Sequence, residues 1–133
     1  MFEGCTALTS APALPATTLN NYCYWYMFKH CTSLSTAPSL PATTLANSCY
    51  RSMFANCTSI TSAPTLSATE LVNQCYYHMF YNCTNLSSIS VSFSEWNDEI
   101  SATTDWVVSI TTNGTFTCPA ALDTTTKDAS HIP

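Results

Sequence analysis

The sequence predicts an α/β solenoid, a right-handed coil of short strands and short helices that is closed at its C-terminal end by a β-hairpin. Three observations lead to this prediction: a repeat of 26 residues, apolar residues at constant positions of the repeat, and a change of pattern after residue 90. A repeat of about 20 to 50 residues with constant apolar positions is typical of solenoids, because a single unit cannot bury its apolar face alone.

The repeat is clearest in its cysteines, which define unit 1 (residues 5–30), unit 2 (31–56) and unit 3 (57–82). The two cysteine positions are occupied by Cys5, Cys31, Cys57 and Cys83, and by Cys23, Cys49 and Cys75. Two further apolar columns consist of Leu8, Leu34, Ile60 and Leu86, and of Phe28, Phe54 and Phe80. We expect these columns to form the core, with each side chain stacked on its equivalent in the next unit.

Each unit predicts one strand and one helix. In unit 2 the strand is Ser33–Thr36, followed by a bend, because Pro38 has a fixed φ and favours extended geometry in the residue before it. The helix is predicted by an apolar stripe with the spacing of one helical face, formed by Leu45, Cys49, Met53 and Phe54. Thr43 or Thr44 would be its N-cap.

A different pattern follows the repeats. Trp106–Thr111 and Thr115–Cys118 are rich in residues that favour strands, and they flank Asn113-Gly114, which is a strong hairpin signal. A stack of units needs a cover on its last member, because an open end exposes apolar side chains and unpaired strand edges. The expected cover consists of three aromatic residues, Trp96, Trp106 and Phe116.

The predicted organisation has three parts. Residues 1–90 form the repeat solenoid, with three full units and a partial one, residues 91–120 form the cap with its hairpin, and residues 121–133 form an extended tail. The chain opens within a unit, since Met1-Phe2 matches the Met-Phe pairs of the later units. We therefore expect the uncapped N-terminal end to be either truncated or a contact surface.

The spacing of the cysteines argues against a metal site. Zinc sites usually place their cysteines two to four residues apart, whereas the spacings here alternate between 18 and 8 residues. We expect no metal ion and no cofactor. Two alternatives remain for the cysteines: they are free thiols that fill the core as small apolar groups, or some form disulfides, which require Cα atoms within about 4.4–6.8 Å.

Composition excludes several function classes. Only 8 % of the residues are charged and three are Lys or Arg, so the chain lacks the clustered cations that nucleic-acid binding requires. No apolar run approaches the roughly 18 residues of a membrane span. Two glycines leave no glycine-rich phosphate loop, and no nucleophile elbow occurs, so we expect no enzyme. The acidic residues near the cap fit a solvated loop better than a carboxylate pair or a Ca²⁺ site; they are Glu95, Asp98, Glu99 and Asp105.

Aromatic residues crowd the segment around the second cysteine of each unit. Tyr24, Tyr50 and Tyr76 recur without change, which indicates packing, whereas the next two positions vary in chemistry between units. Variable positions beside constant ones are where a scaffold can carry recognition, and aromatic and Arg side chains suit interfaces. The predicted binding residues are therefore Trp25, Tyr26, Arg51, Tyr77 and His78.

The pattern C-T-x-L-T-x-A-P-x-L-P-A-T-x-L, followed by C-Y-x-x-M-F-x-x-C, resembles the BspA-like (treponemal-type) leucine-rich repeats over residues 1–90. The units here are longer than the commonest ones of that family and carry Ala-Pro where many members have Ile. The resemblance implies a leucine-rich-repeat-like coil and a bacterial or phage-associated surface protein, often an adhesin or a host-contact module.

Taken together, these features predict a non-enzymatic recognition or adhesion module that binds protein or glycan on a host or neighbouring cell. We expect it to act outside the cell, on a cell surface or on a virion. The alternative is a structural protein that assembles end to end through its N-terminal face, as a homo-oligomer, and builds a fibre or decorates a virion.

Overall fold

The computed structural model describes all 133 residues of the chain. Its regular secondary structure is limited to two strands, β1 (Ser88–Ser90) and β2 (Thr115–Thr117), and one 3₁₀ turn at Asp98–Ile100. Strands β1 and β2 pair in parallel, with Ile89 opposite Phe116. The rest of the chain consists of turns, bends and isolated bridges, and it contains no α-helix. The predicted α/β solenoid of the leucine-rich-repeat type is therefore wrong.

Overlapping turns replace the helix that was predicted for each unit. In unit 2, the N–H groups of Cys49 and Met53 donate to the carbonyls three residues back. The N–H groups of Ser48, Tyr50 and Ser52 donate instead to carbonyls 25 residues further along the chain, at 2.8 to 3.1 Å. Half of the donors therefore leave the segment, and the continuous i to i−4 ladder of an α-helix cannot form. We call these segments turn runs; they cover residues 20–31, 46–57, 72–83 and 98–109.

A second property of the turn runs excludes a helix. Every fourth residue has a positive φ, at Tyr22, Tyr26 and His30, at Ser48, Ser52 and Asn56, at Gln74, His78 and Asn82, and at Ser101, Asp105 and Ser109. Positive φ at the third residue of a turn is typical of type II turns and is incompatible with a right-handed helix. The stripe at Leu45, Cys49 and Met53 thus reflects a turn pattern with a period of four, which a short segment hardly distinguishes from 3.6.

The predicted strand Ser33–Thr36 is also wrong. Only Thr36 takes part in a bridge, with Ser10 in the preceding unit, and the bridge is isolated and parallel. The prolines that follow, Pro38 and Pro41, have no N–H group, so a ladder cannot continue through them. This side of the units is therefore held by single bridges such as Ser10–Thr36.

The C-terminal hairpin is wrong as well. Strand β2 pairs with β1 and not with Trp106–Thr111, which lies mostly in the fourth turn run. Thr115 N–H donates to the Ser87 carbonyl at 2.7 Å. A Cβ atom on Gly114 would clash with that same carbonyl oxygen. Gly114 is thus needed for close approach to the backbone beside β1, and the Asn-Gly step does not form a hairpin turn.

Stacked side chains form the core, a cluster of 28 buried residues. Phe2, Phe28, Phe54 and Phe80 stack with ring centroids 5.5, 5.7 and 5.8 Å apart. Tyr24, Tyr50 and Tyr76 form a parallel stack with separations of 5.7 and 6.1 Å. All eight cysteines are free thiols, and three of them donate from Sγ to a phenylalanine carbonyl 29 residues earlier, at 3.0 Å: Cys31, Cys57 and Cys83.

An aromatic cluster and the C-terminal segment cover the far end of these stacks. Trp96, Trp106 and Phe116 lie together with centroids 6.2 to 6.4 Å apart, and Trp106 also contacts Tyr76 and Phe80. The backbone of Ala129 to Ile132 folds over them: Trp106 Nε1 donates to the His131 carbonyl at 2.9 Å, and Ile132 is buried. The predicted boundaries after residues 90 and 120 stay a prediction.

Candidate functional site

The outer edge of the turn runs brings together the residues predicted for binding. Equivalent positions of neighbouring units lie side by side, because Tyr26 N–H donates to the Arg51 carbonyl at 3.2 Å and Ser52 N–H to the Tyr77 carbonyl at 2.8 Å. The resulting surface, which we call the aromatic ridge, consists of Tyr22, Trp25, Tyr26, Arg51, Tyr77, His78 and Tyr81. It contains two groups, one in unit 1 and one that spans units 2 and 3.

The group in unit 1 is the more exposed one. Tyr22 is 55 % exposed and Trp25 44 %, and their rings lie 5.8 Å apart. Trp25 also packs on Tyr26 at 4.5 Å. The Lys29 ammonium lies over the Tyr26 ring, 4.2 Å from its centroid. It is also 3.8 Å from a Glu3 carboxylate oxygen. These contacts hold the rings in place while leaving much of Tyr22 and Trp25 open to solvent.

The second group is built around Arg51. Its Nη1 donates to Gln74 Oε1 at 2.7 Å, and its guanidinium carbon lies 4.6 Å from the centroid of the Tyr77 ring. Cation–π contacts and hydrogen bonds of this kind fix a planar guanidinium. Arg51 Nε is buried and has no hydrogen-bond partner. The side chain is thus preorganised along unit 3, and its Nε donor is buried and unpaired.

His78 continues this group. Its ring stacks on Tyr77 at 4.0 Å and lies 5.2 Å from Tyr81, and its Nε2 is 3.5 Å from Asp105 Oδ2. Burial lowers the pKa of His78 below its ordinary value, because desolvation disfavours the imidazolium more than Asp105 stabilises it. The neutral ring therefore behaves mainly as a planar packing group of the ridge.

Two ridge residues, Tyr22 and Tyr81, were not among the predicted binding residues, and neither was Lys29, which lies beside the ridge on Tyr26. Each lies three positions from a ridge residue that it contacts, and a turn hydrogen bond closes each pair. Trp25 N–H donates to Tyr22 O at 3.2 Å, and Tyr81 N–H donates to His78 O at 3.2 Å. The i, i+3 spacing of large side chains was the signal in the sequence, but it identifies neighbours only once the turns are known.

The acidic residues near the predicted cap separate in the structure. Asp105 lies against His78, whereas Asp98 and Asp128 lie on either side of His131, at 3.3 and 2.8 Å from its ring nitrogens. No group of three or more His, Cys, Asp or Glu side chains is arranged to hold a metal ion. The Asp98 carboxylate contacts His131 across the chain and thereby helps to attach the C-terminal segment, whereas Asp105 contacts His78 of the preceding turn run.

The buried thiols are poor nucleophiles. Burial raises the pKa of Cys49 and Cys83 to about 12 and that of Cys75 to about 11, and the thiolate is the reactive form. These side chains pack as small apolar groups within the stacks. The groups that the ridge presents are exposed aromatic faces and a fixed guanidinium.

Comparisons with known proteins give no relative. No protein family matches the chain, and neither the curated proteins nor the solved structures contain a significant match. The resemblance to BspA-like repeats is thus neither supported nor opposed by them. The structure contains no helical segment with the length and hydrophobicity that crossing a bilayer requires.

Proposed function

We propose that the chain is a non-enzymatic recognition module that acts outside the cell and binds a protein surface through the aromatic ridge. One observation carries the proposal: Tyr22 and Trp25 are large, substantially exposed and held side by side, while the tyrosines of the neighbouring core column, Tyr50 and Tyr76, are only 1 % exposed. The chain therefore has the means to bury such rings, yet it leaves these two available to a partner.

The composition of the ridge favours a protein partner over a glycan. Tyr, Trp and Arg are the residues most enriched among those that contribute most to protein–protein binding, and charged residues are depleted at interface centres. The ridge contains one cation, Arg51, and that side chain is already fixed by Gln74 and Tyr77. Rigid aromatic side chains also lose little conformational entropy on binding. The ridge thus meets the requirements of a preorganised interface centre.

An array experiment tests the proposal. The purified chain is applied to an array of bacterial and host surface proteins and, in parallel, to a glycan array. We expect binding on the protein array that the double variant Tyr22→Ala/Trp25→Ala weakens at least about tenfold, since interface aromatics commonly contribute 1–2 kcal/mol or more each. The matched control is Thr43→Ala, an exposed residue outside the ridge, which should leave binding unchanged.

Two results would contradict the proposal. Binding confined to the glycan array would identify a different partner class, and binding that survives loss of both rings would place the contact surface elsewhere. A chain that stays blank on both arrays would also count against recognition as the function.

End-to-end assembly is the second candidate. It is favoured by the exposure of Cys5 and Cys23 in unit 1, because the equivalent cysteines of the later units are buried. It is disfavoured at the other end, because Ala129 and Ser130 lie over the last turn run and accept hydrogen bonds from it. Stacking of one copy on another as consecutive units stack would require this segment to move. A monodisperse monomer across concentrations, measured by light scattering, would eliminate this candidate.

A further inference from the structure

A groove crosses units 2 and 3 and the segment that follows them. It consists of two adjoining depressions with volumes of about 310 and 490 Å³, which share Thr69 and Glu70. We call it the side groove; it is lined by residues 43–45, 69–72 and 94–97. It shares no residue with the aromatic ridge, and each depression has the size of a ligand-binding cleft.

Parallel bridges align the segments that line the side groove. Thr18 pairs with Thr44 in the next unit, and Leu66 pairs with Val91, so the alignment continues beyond unit 3 with one residue fewer. Three columns of equivalent residues therefore run along the groove: Thr43, Thr69 and Ser94; Thr44, Glu70 and Glu95; and Leu45, Leu71 and Trp96. Similar groups thus recur from one unit to the next, which suits a ligand that is itself built of repeated units.

Trp96 gives the side groove a fixed aromatic surface. Its indole Nε1 donates to the Asp123 carbonyl at 2.8 Å, so the polar group of this side chain is already used. The rings of Phe93 and His131 hold it in place, with centroids 5.3 and 5.0 Å away. Trp96 is nonetheless only half-buried. It therefore presents apolar ring carbons to the groove, on which the C–H groups of a sugar ring can pack.

The polar side chains of the side groove combine donors with acceptors. Thr69 and Ser94 carry exposed hydroxyls, and Asn97 carries an amide; each of these groups can both donate and accept. Glu70 and Glu95 are exposed carboxylates that only accept, and neither takes part in an ion pair. The groove is therefore suited to a ligand that offers several donors and several acceptors.

The charge of the side groove restricts the ligand further. Its only charged residues are Glu70 and Glu95, so an acidic polysaccharide or an acidic peptide would be repelled. A cation would satisfy the two carboxylates but would leave the hydroxyl and amide donors without acceptors. Sugar hydroxyls match both kinds of group, because each one donates and accepts, and hydrogen bonds to a carboxylate are strong.

We infer that the side groove binds an uncharged oligosaccharide chain. One sugar ring lies on Trp96, and the hydroxyls of neighbouring rings donate to the carboxylates of Glu70 and Glu95. The chain runs along the three columns, from residues 94–97 towards residues 43–45. The inference goes beyond the proposed function, because it concerns a separate surface and a different class of ligand.

NMR titration of the ¹⁵N-labelled full chain tests the inference. The probes are three neutral hexasaccharides, cellohexaose, xylohexaose and mannohexaose, and the matched anionic probe is hexagalacturonic acid. We expect at least one neutral probe to shift the amide resonances of residues 43–45, 69–72 and 94–97 and the indole resonance of Trp96. The resonances of residues 22–26 on the aromatic ridge should stay unchanged, and hexagalacturonic acid should not bind.

A pair of exposed carboxylates provides the matched variants. The double variant Glu70→Ala/Glu95→Ala should bind the neutral probe at least about tenfold more weakly. The control is Glu99→Ala, an exposed acidic residue outside the groove, which should leave binding unchanged. Binding that survives loss of both carboxylates would overturn the inference, as would resonance changes that map elsewhere or a chain that binds none of the three neutral probes.

Two further results separate the alternatives. Binding of hexagalacturonic acid or of hexalysine as tight as that of the neutral probes would show that the groove does not select an uncharged sugar, and the inference would be wrong. The ridge variant Tyr22→Ala/Trp25→Ala should bind the neutral probe normally. A chain that binds this probe but stays blank on the protein array keeps this inference and loses the proposed function, and the reverse result does the opposite.

Discussion

The two ends of the molecule differ in how far they are covered, although similar turn runs form both. At the C-terminal end, aromatic side chains and a folded-back segment cover the last run, and Trp106 is completely buried. At the N-terminal end, the carbonyls of Asn21, Cys23 and Trp25 in the same kind of run accept no hydrogen bond, and Cys23 is exposed. The comparison teaches that burial in this molecule is decided by what lies on the next layer, and not by the residue type.

The cysteine column measures this difference most directly. Cys23 is exposed and its equivalents Cys49 and Cys75 are fully buried. With iodoacetamide, we expect Cys23 to be alkylated in the folded chain and Cys49 at least about a thousandfold more slowly, because it reacts only after local or global unfolding. Mass spectrometry of the alkylated peptides gives both rates. Equal protection of Cys23 and Cys49 would contradict the exposure of Cys23.

The phenylalanine stack gives the next largest effect. Phe54 is fully buried between two rings, so Phe54→Ala should lower the free energy of unfolding by about 3–5 kcal/mol. Phe2 is half-buried and stacks on one ring, so Phe2→Ala should cost about 1 kcal/mol. Urea denaturation of both variants measures the two losses of unfolding free energy. Similar losses for the two would mean that the end of the stack is as well packed as its centre.

The two glycines extend the comparison to the backbone. Gly114→Ala places a Cβ atom against the Ser87 carbonyl and should cost about 2–3 kcal/mol, through displacement of β2 from β1. Gly4 has a φ of +74°, and no atom lies within 4 Å of the position that a Cβ atom would take, so Gly4→Ala should cost only the left-handed backbone penalty, about 1 kcal/mol. Thermal unfolding of both variants is the measurement. If Gly114→Ala leaves the unfolding temperature unchanged, the close approach of Gly114 to the Ser87 carbonyl is contradicted.

The smallest effect concerns pH. The pKa of His78 is lower in the folded chain than its ordinary value near 6.5, so the unfolded chain binds more protons as the pH falls through this range. The stability that the neutral ring contributes is therefore complete above about pH 6.5 and is lost below it. The variant His78→Asn keeps a residue type that this chain already has at a positive φ, at Asn82. The urea midpoint of this variant should change less between pH 7.5 and 5.5 than that of the unchanged chain. If the urea midpoint of the variant depends on pH as strongly as that of the unchanged chain, the lowered pKa of His78 is contradicted.

Part of the fold could be predicted from the sequence. The 26-residue period places Tyr24, Tyr50 and Tyr76 in one column, and these rings stack. The local conformation could not be predicted, because the stripe from Leu45 to Phe54 fits both a helix and a run of turns. The fourth turn run was missed for a related reason: Ser101, Asp105 and Ser109 repeat the four-residue spacing, but the strand-forming residues between them indicated a hairpin.

The candidate site, too, could be predicted from the sequence only in part. Five ridge residues were predicted from variable positions beside constant ones, and the structure places them along one edge. The contacts of Lys29 with Tyr26 and of Tyr81 with His78 depend on turns that close between residues three apart. The unpaired carbonyls of Asn21, Cys23 and Trp25 could not be predicted, because main-chain hydrogen bonding has no signature in side-chain identity.

The sequence by itself determined which residues are equivalent, because a constant period makes each apolar column recur in every unit. The tertiary structure alone decided what those units are made of and which of their faces are covered. The physical reason lies in the backbone: alternate N–H groups in the first three turn runs donate to a carbonyl 25 or 26 residues away. A choice between a helix and a turn run, or between a paired and an open edge, therefore depends on a neighbour that local sequence does not describe.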